Sequence, residues 1–317
     1  MRLKGPKGMV MAAASAALIV AAAVYVTPLA RERGQNVALG REWAGLLKNH
    51  PSFSGQRPSP AVDVTFSYAA MTDENLARLR KLYDLDAIAG HGPEAERIIN
   101  LMRWVYRLTG HADEPEIPKE LNAFNLIRLA QDEHMQINCY MKTVILNEVY
   151  LAMGWPSRQT HLLPFEKEEE ESHFITSVYA PSLGAWIMMD ADMGAYATDG
   201  QGTILGVREI RSRMIAGRPL RVKDVDDTGR LARAREGWSN FVRGVDYPWY
   251  LSKNLFKIRC PQRSRFNEAS APDRVLVELI PDGYRAELLQ EPRTDKRGRT
   301  IISINDEGLF WQRPSGE

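Results

Sequence analysis

Between residues 136 and 196 the chain changes its hydrophobic period twice. From about Asn138 to Met153, Lys142, Thr143, Asn147 and Glu148 form a narrow polar face. The other positions are Tyr140, Met141, Val144, Ile145, Leu146, Val149, Tyr150, Leu151 and Met153, apolar nearly all round, which predicts a buried helix. Gly154-Trp155-Pro156 stops it, and Ser157 to Leu163 reads as a strand. After an acidic stretch (Glu166, Glu168 to Glu171), two further apolar runs flank a turn at 181–184. They are His173 to Tyr179 and Trp186 to Asp190, which predict a β-hairpin.

Other segments are simpler. Val37 to Lys48 predicts a helix ended by Asn49-His50-Pro51, and Asp63 to Ser67 alternates as a strand would. A helix capped by Thr72 or Asp73 carries Leu76, Leu79 and Leu82. Pro93 to Leu108 places Ile98, Leu101, Met102, Val105 and Leu108 on one helical face, and Asn122 to Ala130 is a second short helix. Val207 to Ile215 is helical, stopped by Gly217-Arg-Pro219. Beyond a charged stretch at 221–240, Asp246 to Tyr250, Asn254 to Ile258, Val275 to Leu279 and Thr300 to Ile304 make a β-rich remainder. At the other end, Arg2, Lys4 and Lys7 precede an uncharged apolar run, Met9 to Val26. This is a signal peptide with a small-residue site near Ala21-Ala22-Ala23, or a membrane anchor. Either places the rest of the chain outside the cytoplasm, in the periplasm or cell envelope or secreted. The resulting division is 1–30 leader or anchor, 31–92 mostly helical lead-in, 93–220 core, and 221–317 C-terminal β-rich extension.

Composition narrows the function classes. The chain has 317 residues, 44% hydrophobic and 26% charged, ordinary for a globular protein. A formal net charge of +1, without a basic stripe, gives no reason to expect a nucleic-acid partner. Membrane contact is expected only through the N-terminal run. Oligomeric state is not legible. Two cysteines, Cys139 and Cys260, do not make a disulfide framework.

Candidate chemistry follows from order and spacing. Cys139 falls in the first turn of the buried helix, where unpaired N–H groups favour a thiolate. A buried free cysteine is otherwise commonly inert. His173 and Asp190 are equidistant from a turn centred between Pro181 and Ser182, which would set them directly opposite on one face. A four-residue loop would make them diagonal neighbours on the same face, and a three-residue loop would separate them. That face would also carry Ile175, Ser177, Tyr179, Trp186 and Met188. A histidine and an aspartate among such residues need partners, and each other is the economical choice. Asp192 is a weaker alternative orienter. His161 and His134 are better read as ordinary histidines than as zinc ligands with Cys139 and His173, because the spacing fits no usual zinc pattern. No cofactor and no metal are expected.

The set resembles the transglutaminase-like superfamily, in a bacterial exported subgroup. The resemblance covers roughly residues 93 to 220. It rests on a cysteine at a helix start, Gly154-x-Pro156-x-Arg158 leading into a strand, His173 opening a strand, and Trp186-x-x-x-Asp190. It implies an α+β, papain-like fold whose cysteine helix packs on an antiparallel sheet. It implies Cys139 as nucleophile, His173 as base then acid, and Asp190 as orienter. Ala191 departs from a frequent proline, and Tyr140 stands where eukaryotic members have tryptophan. The Cys139 N–H is one oxyanion donor, with Gln136 or Asn138 supplying a side-chain amide; Asn138 serves equally as helix N-cap. The expected activity is cysteine-dependent acyl transfer on amide bonds of a protein or peptide through a thioester, ending in hydrolysis or crosslinking. The alternative is a catalytically silent binding or assembly module at the envelope, with Trp238, Trp249 and Trp311 offering a partner surface.

Overall fold

The computed structural model describes residues 42–55, 64–165, 172–225, 247–248 and 250–314. The N-terminal run read as leader or anchor and the acidic stretch at 166–171 lie outside them. Among the described residues, no helix is long and apolar enough to cross a membrane.

The molecule mixes helices with a seven-stranded sheet. In chain order the strands are β1 (Ser67–Tyr68), β2 (Ser157–Leu163), β3 (His173–Ala180), β4 (Ala185–Met189), β5 (Ala195–Thr198) and β6 (Arg221–Asp224). They continue as β7 (Lys257–Pro261), β8 (Arg263–Ser264), β9 (Val275–Leu279), β10 (Arg293–Thr294) and β11 (Thr300–Ile304). The large sheet runs β10-β11-β9-β7-β2-β3-β4, while β1 pairs with β8 and β5 with β6. Its β7-β2-β3-β4 half is antiparallel, but β9 and β11 pair in parallel, so the sheet is mixed rather than wholly antiparallel. Strands from beyond residue 221 therefore continue the same sheet as the cysteine-bearing region.

Hydrophobic periodicity placed most elements well. The central helix is Cys139–Ala152, capped by Asn138. It packs against helices Glu74–Leu82, Glu94–Leu108 and Ala123–Asp132 on one side and β2 and β3 on the other. Gly154, at φ +86°, reverses the chain after it, a conformation that favours glycine. The polar face does not meet water. Lys142, Thr143, Asn147 and Glu148 are all buried and wired to neighbours. Asn147 meets Ser264 and Ser157, and Glu148 accepts from the Ala123 and Asn267 N–H groups. Truncating a buried helix residue such as Ile145 to alanine should cost about 2–5 kcal/mol.

Strand alternation divides the hairpin side chains between two cores. Val178, Ala180, Ile187 and Met189 join the central-helix core. Ile175, Tyr179, Trp186 and Met188 face a second core with Leu251, Phe256 and Phe310. The hairpin is thus buried on both faces, although β4 is the last strand of the sheet. Beyond β4, Met188 N–H donates to Leu205. Two expectations fail. The strand expected at 63–67 reduces, among the described residues, to β1, and Tyr247 and residues 250–254 are helical rather than β.

Candidate active site

Cys139 begins the central helix and is half-buried. Asn138 holds the helix start, its side-chain oxygen accepting from Met141 N–H at 3.2 Å. The Cys139 and Tyr140 N–H groups have no partner within the helix, as its first turn requires. They make the thiol's immediate surroundings electropositive.

The turn between β3 and β4 is four residues long, and Tyr179 pairs with Trp186. His173 and Asp190 are consequently diagonal rather than directly opposite, still on one face. His173 Nε2 meets Asp190 Oδ2 at 2.6 Å. His173 is 2% exposed and Asp190 0%. Asp190 lies just past β4, where its backbone bridges to Ala195 across a tight turn. Gly194 in that turn has φ +60°, and a Cβ there would stand 3.0 Å from the Tyr106 ring.

The Asp190 carboxylate is saturated with donors. Oδ2 also accepts from the Tyr247 hydroxyl at 2.5 Å, and Oδ1 accepts from the Asp192 and Met193 N–H groups at 3.0 Å each. Burial alone would raise its pKa; the charge and hydrogen bond of His173, the Met193 N–H and the Tyr247 hydroxyl outweigh that and lower it. Burial pulls the His173 imidazole the other way, toward neutrality. The charge and hydrogen bond of Asp190, and then those of Cys139, override it and raise its pKa to about 10. Nε2 of the imidazole is thus committed to Asp190, and the Cys139 thiol is close enough to add to the upward shift. The edge of the Tyr250 ring packs on it, with centroids 5.2 Å apart.

Asp192 has another job. Its carboxylate takes Lys142 Nζ at 3.3 Å and His111 Nδ1 at 2.9 Å. Lys142 is one helical turn beyond Cys139, and Asp192 two residues beyond Asp190, so this buried pair ties the thiol's helix to the carboxylate's turn. Of the two side chains expected to offer an oxyanion amide, Asn138 is engaged as the cap through its oxygen. Gln136 is exposed, its amide nitrogen beside Gly110, where a Cβ would stand 3.2 Å away. His161 stacks on Phe174 at 3.8 Å and bonds Ser172, apart from the Asp190 pair. Among the described residues, no group of three or more His, Cys, Asp or Glu could hold a metal ion.

Sequence reasoning missed Tyr247, Tyr250 and the Lys142–Asp192 tie. The Asp246-Tyr-Pro-Trp-Tyr250 run was the visible signal, but nothing local says that it returns to the hairpin. Trp311, read as partner-facing, is buried against Trp186 and Phe310. Trp238 and Trp249 lie outside the described residues.

No protein-family model matches the chain, and no curated protein does. A crystal structure of a candidate cysteine protease from Cytophaga hutchinsonii is similar over 54% of this chain and 55% of its own, with TM-score 0.31 and 15% identity. The chain spans about half the length of that structure.

Proposed function

We propose that this chain is an exported, cysteine-dependent acyl-transfer enzyme acting on amide bonds through a thioester. The observation that carries the reading is the His173 imidazole, held by buried Asp190 through Nε2, with the Cys139 thiol at a helix start close enough to help raise the imidazole's pKa. Cys139 Sγ attacks the amide carbonyl, forming the S–C bond. The Cys139 N–H, unpaired in the first turn of its helix, serves as one donor to the developing oxyanion. His173 delivers its Nδ1 proton to the leaving amine as the C–N bond breaks. It then takes a proton from water, which releases the acid and frees the thiol. Hydrolysis is the simpler outcome, because water alone serves as the acceptor. The cysteine helix against the antiparallel strands supports a papain-like, transglutaminase-like arrangement, and the N-terminal cations with Met9 to Val26 support export.

The test is p-nitrophenyl acetate with intact-mass detection. One acetyl group should appear on Cys139 and turn over. Asp190→Asn should slow both steps, and Cys139→Ala should remove them. Absence of the thioester in the wild-type protein would leave a silent binding module as the better account.

A further inference from the structure

A cleft of about 450 Å³ opens near the start of the central helix. Asn138 and Tyr140, the chain neighbours of Cys139, and Ser172 and Phe174, the chain neighbours of His173, line it, while Cys139 and His173 themselves do not. Its remaining wall is unusually basic, with Arg259, Arg274, Arg297 and Arg299, and no aspartate or glutamate lines it among the described residues. Two of these charges are already answered. Arg259 bonds Glu278, and Arg299 bonds Asp295. Arg297 is exposed.

Arg274 is different. It is 3% exposed, yet its guanidinium meets only neutral acceptors, the Tyr140 hydroxyl at 3.0 Å and Gln159 Oε1 at 2.6 Å. Its Nε–H is buried and finds no acceptor among the described residues. A buried guanidinium without a carboxylate is costly, and such groups are ordinarily paired. The cleft supplies the missing partner's place. The local field is visible at His161, whose pKa burial and then the charges of Arg259 and Arg299 hold well below the ordinary value.

We infer that this cleft binds a carboxylate of the acyl substrate, with Arg274 as its central counter-charge, so that the enzyme prefers acidic peptides. A carboxylate suits the site better than a cationic or apolar group, because the charge left uncompensated among the described residues is positive and the wall offers amide and hydroxyl donors besides. The inference rests on the proposed activity for its orientation toward Cys139, not for the existence of the anion site.

Two measurements separate the questions. The first compares alkylation of Cys139 by N-iodoacetylglycine with that by its neutral amide, N-iodoacetylglycinamide, each relative to glutathione. The anionic reagent should gain on the order of tenfold, and less at high salt. Arg274→Gln should bring the ratio of the two reagents' rates close to one, and Arg274→Lys should restore part of it. The second uses the Cys139→Ala protein. N-acetylglycine should raise its melting temperature, N-acetylglycinamide should not, and Arg274→Gln should abolish the shift. A stronger response to inorganic phosphate than to N-acetylglycine would replace the carboxylate with a phosphate ligand and overturn the assignment. Equal responses to the acid and its amide in both assays would remove the site altogether. A melting shift without labelling of Cys139 would keep the anion site and sink the catalytic reading instead.

Discussion

The two cysteines of this chain sit in opposite physical settings. Cys260 lies in β7, paired with Val277, 2% exposed within the second core. Burial pushes its thiol up to about 11, against the smaller pull of Arg158. Cys139 is half-buried at a helix start, beside an imidazole that is itself anchored to a saturated carboxylate. The same side chain is thus a small core hydrophobe in one place and, in the other, a thiol at a helix start, as the proposed nucleophile would need. The difference comes from what surrounds the sulfur, chiefly free helix N–H groups and a protonatable partner.

Breaking the comparison at its strongest point gives the largest effect. Asp190→Asn should lower acyl-enzyme formation by about four orders of magnitude, because the imidazole loses its orienting charge, whereas Cys260→Ser should leave the rate within twofold; a burst assay with p-nitrophenyl acetate reads both. Next comes the buried tie. Lys142→Met leaves Asp192 with the His111 imidazole but without its ammonium partner and should cost about 1–3 kcal/mol, measurable by urea unfolding. A smaller effect belongs to Tyr247→Phe, which removes one of the donors to Asp190 and should cost roughly 1 kcal/mol, or about fivefold in rate.

The pH dependence of stability sharpens the picture further. Glu148, pushed up to about 8 by burial from an ordinary 4.5, and His173, raised to about 10 from 6.5, both bind protons more tightly when folded. Their contributions are full below 4.5 and 6.5 respectively and are lost as pH rises through 8 and 10. The melting temperature should therefore fall from pH 6.5 toward pH 10. Glu148→Gln should flatten the part below pH 8, which thermal unfolding across that range would detect.

Much of this arrangement was legible in the sequence because it is local. The central helix, β2, β9, β11 and the helix Val207–Ile215 follow from periodicity and from Gly and Pro stops. The shared face of His173 and Asp190 follows from strand alternation. The register did not, because symmetry about a turn cannot tell a four-residue loop from a two-residue one. Tyr247 reaches Asp190 across 57 positions, and Arg274 meets Tyr140 across 134, so no window of sequence contains either contact. The partners of the central helix's polar face were hidden for a related reason. The helix reads as buried, but only the tertiary structure supplies the Asp192 carboxylate and the backbone donors that satisfy Lys142 and Glu148 there.

The most direct test of the central claim is the pH profile of iodoacetamide alkylation at Cys139, read by peptide mass in the same molecules as Cys260. With an imidazolium partner, Cys139 should react readily at pH 6 while Cys260 stays unmodified in the folded protein, and His173→Ala should abolish the reaction at pH 6. If Cys139 at pH 6 reacts no faster than Cys260, or if His173→Ala leaves its profile unchanged, the two thiols are physically alike and the acyl-transfer account is wrong.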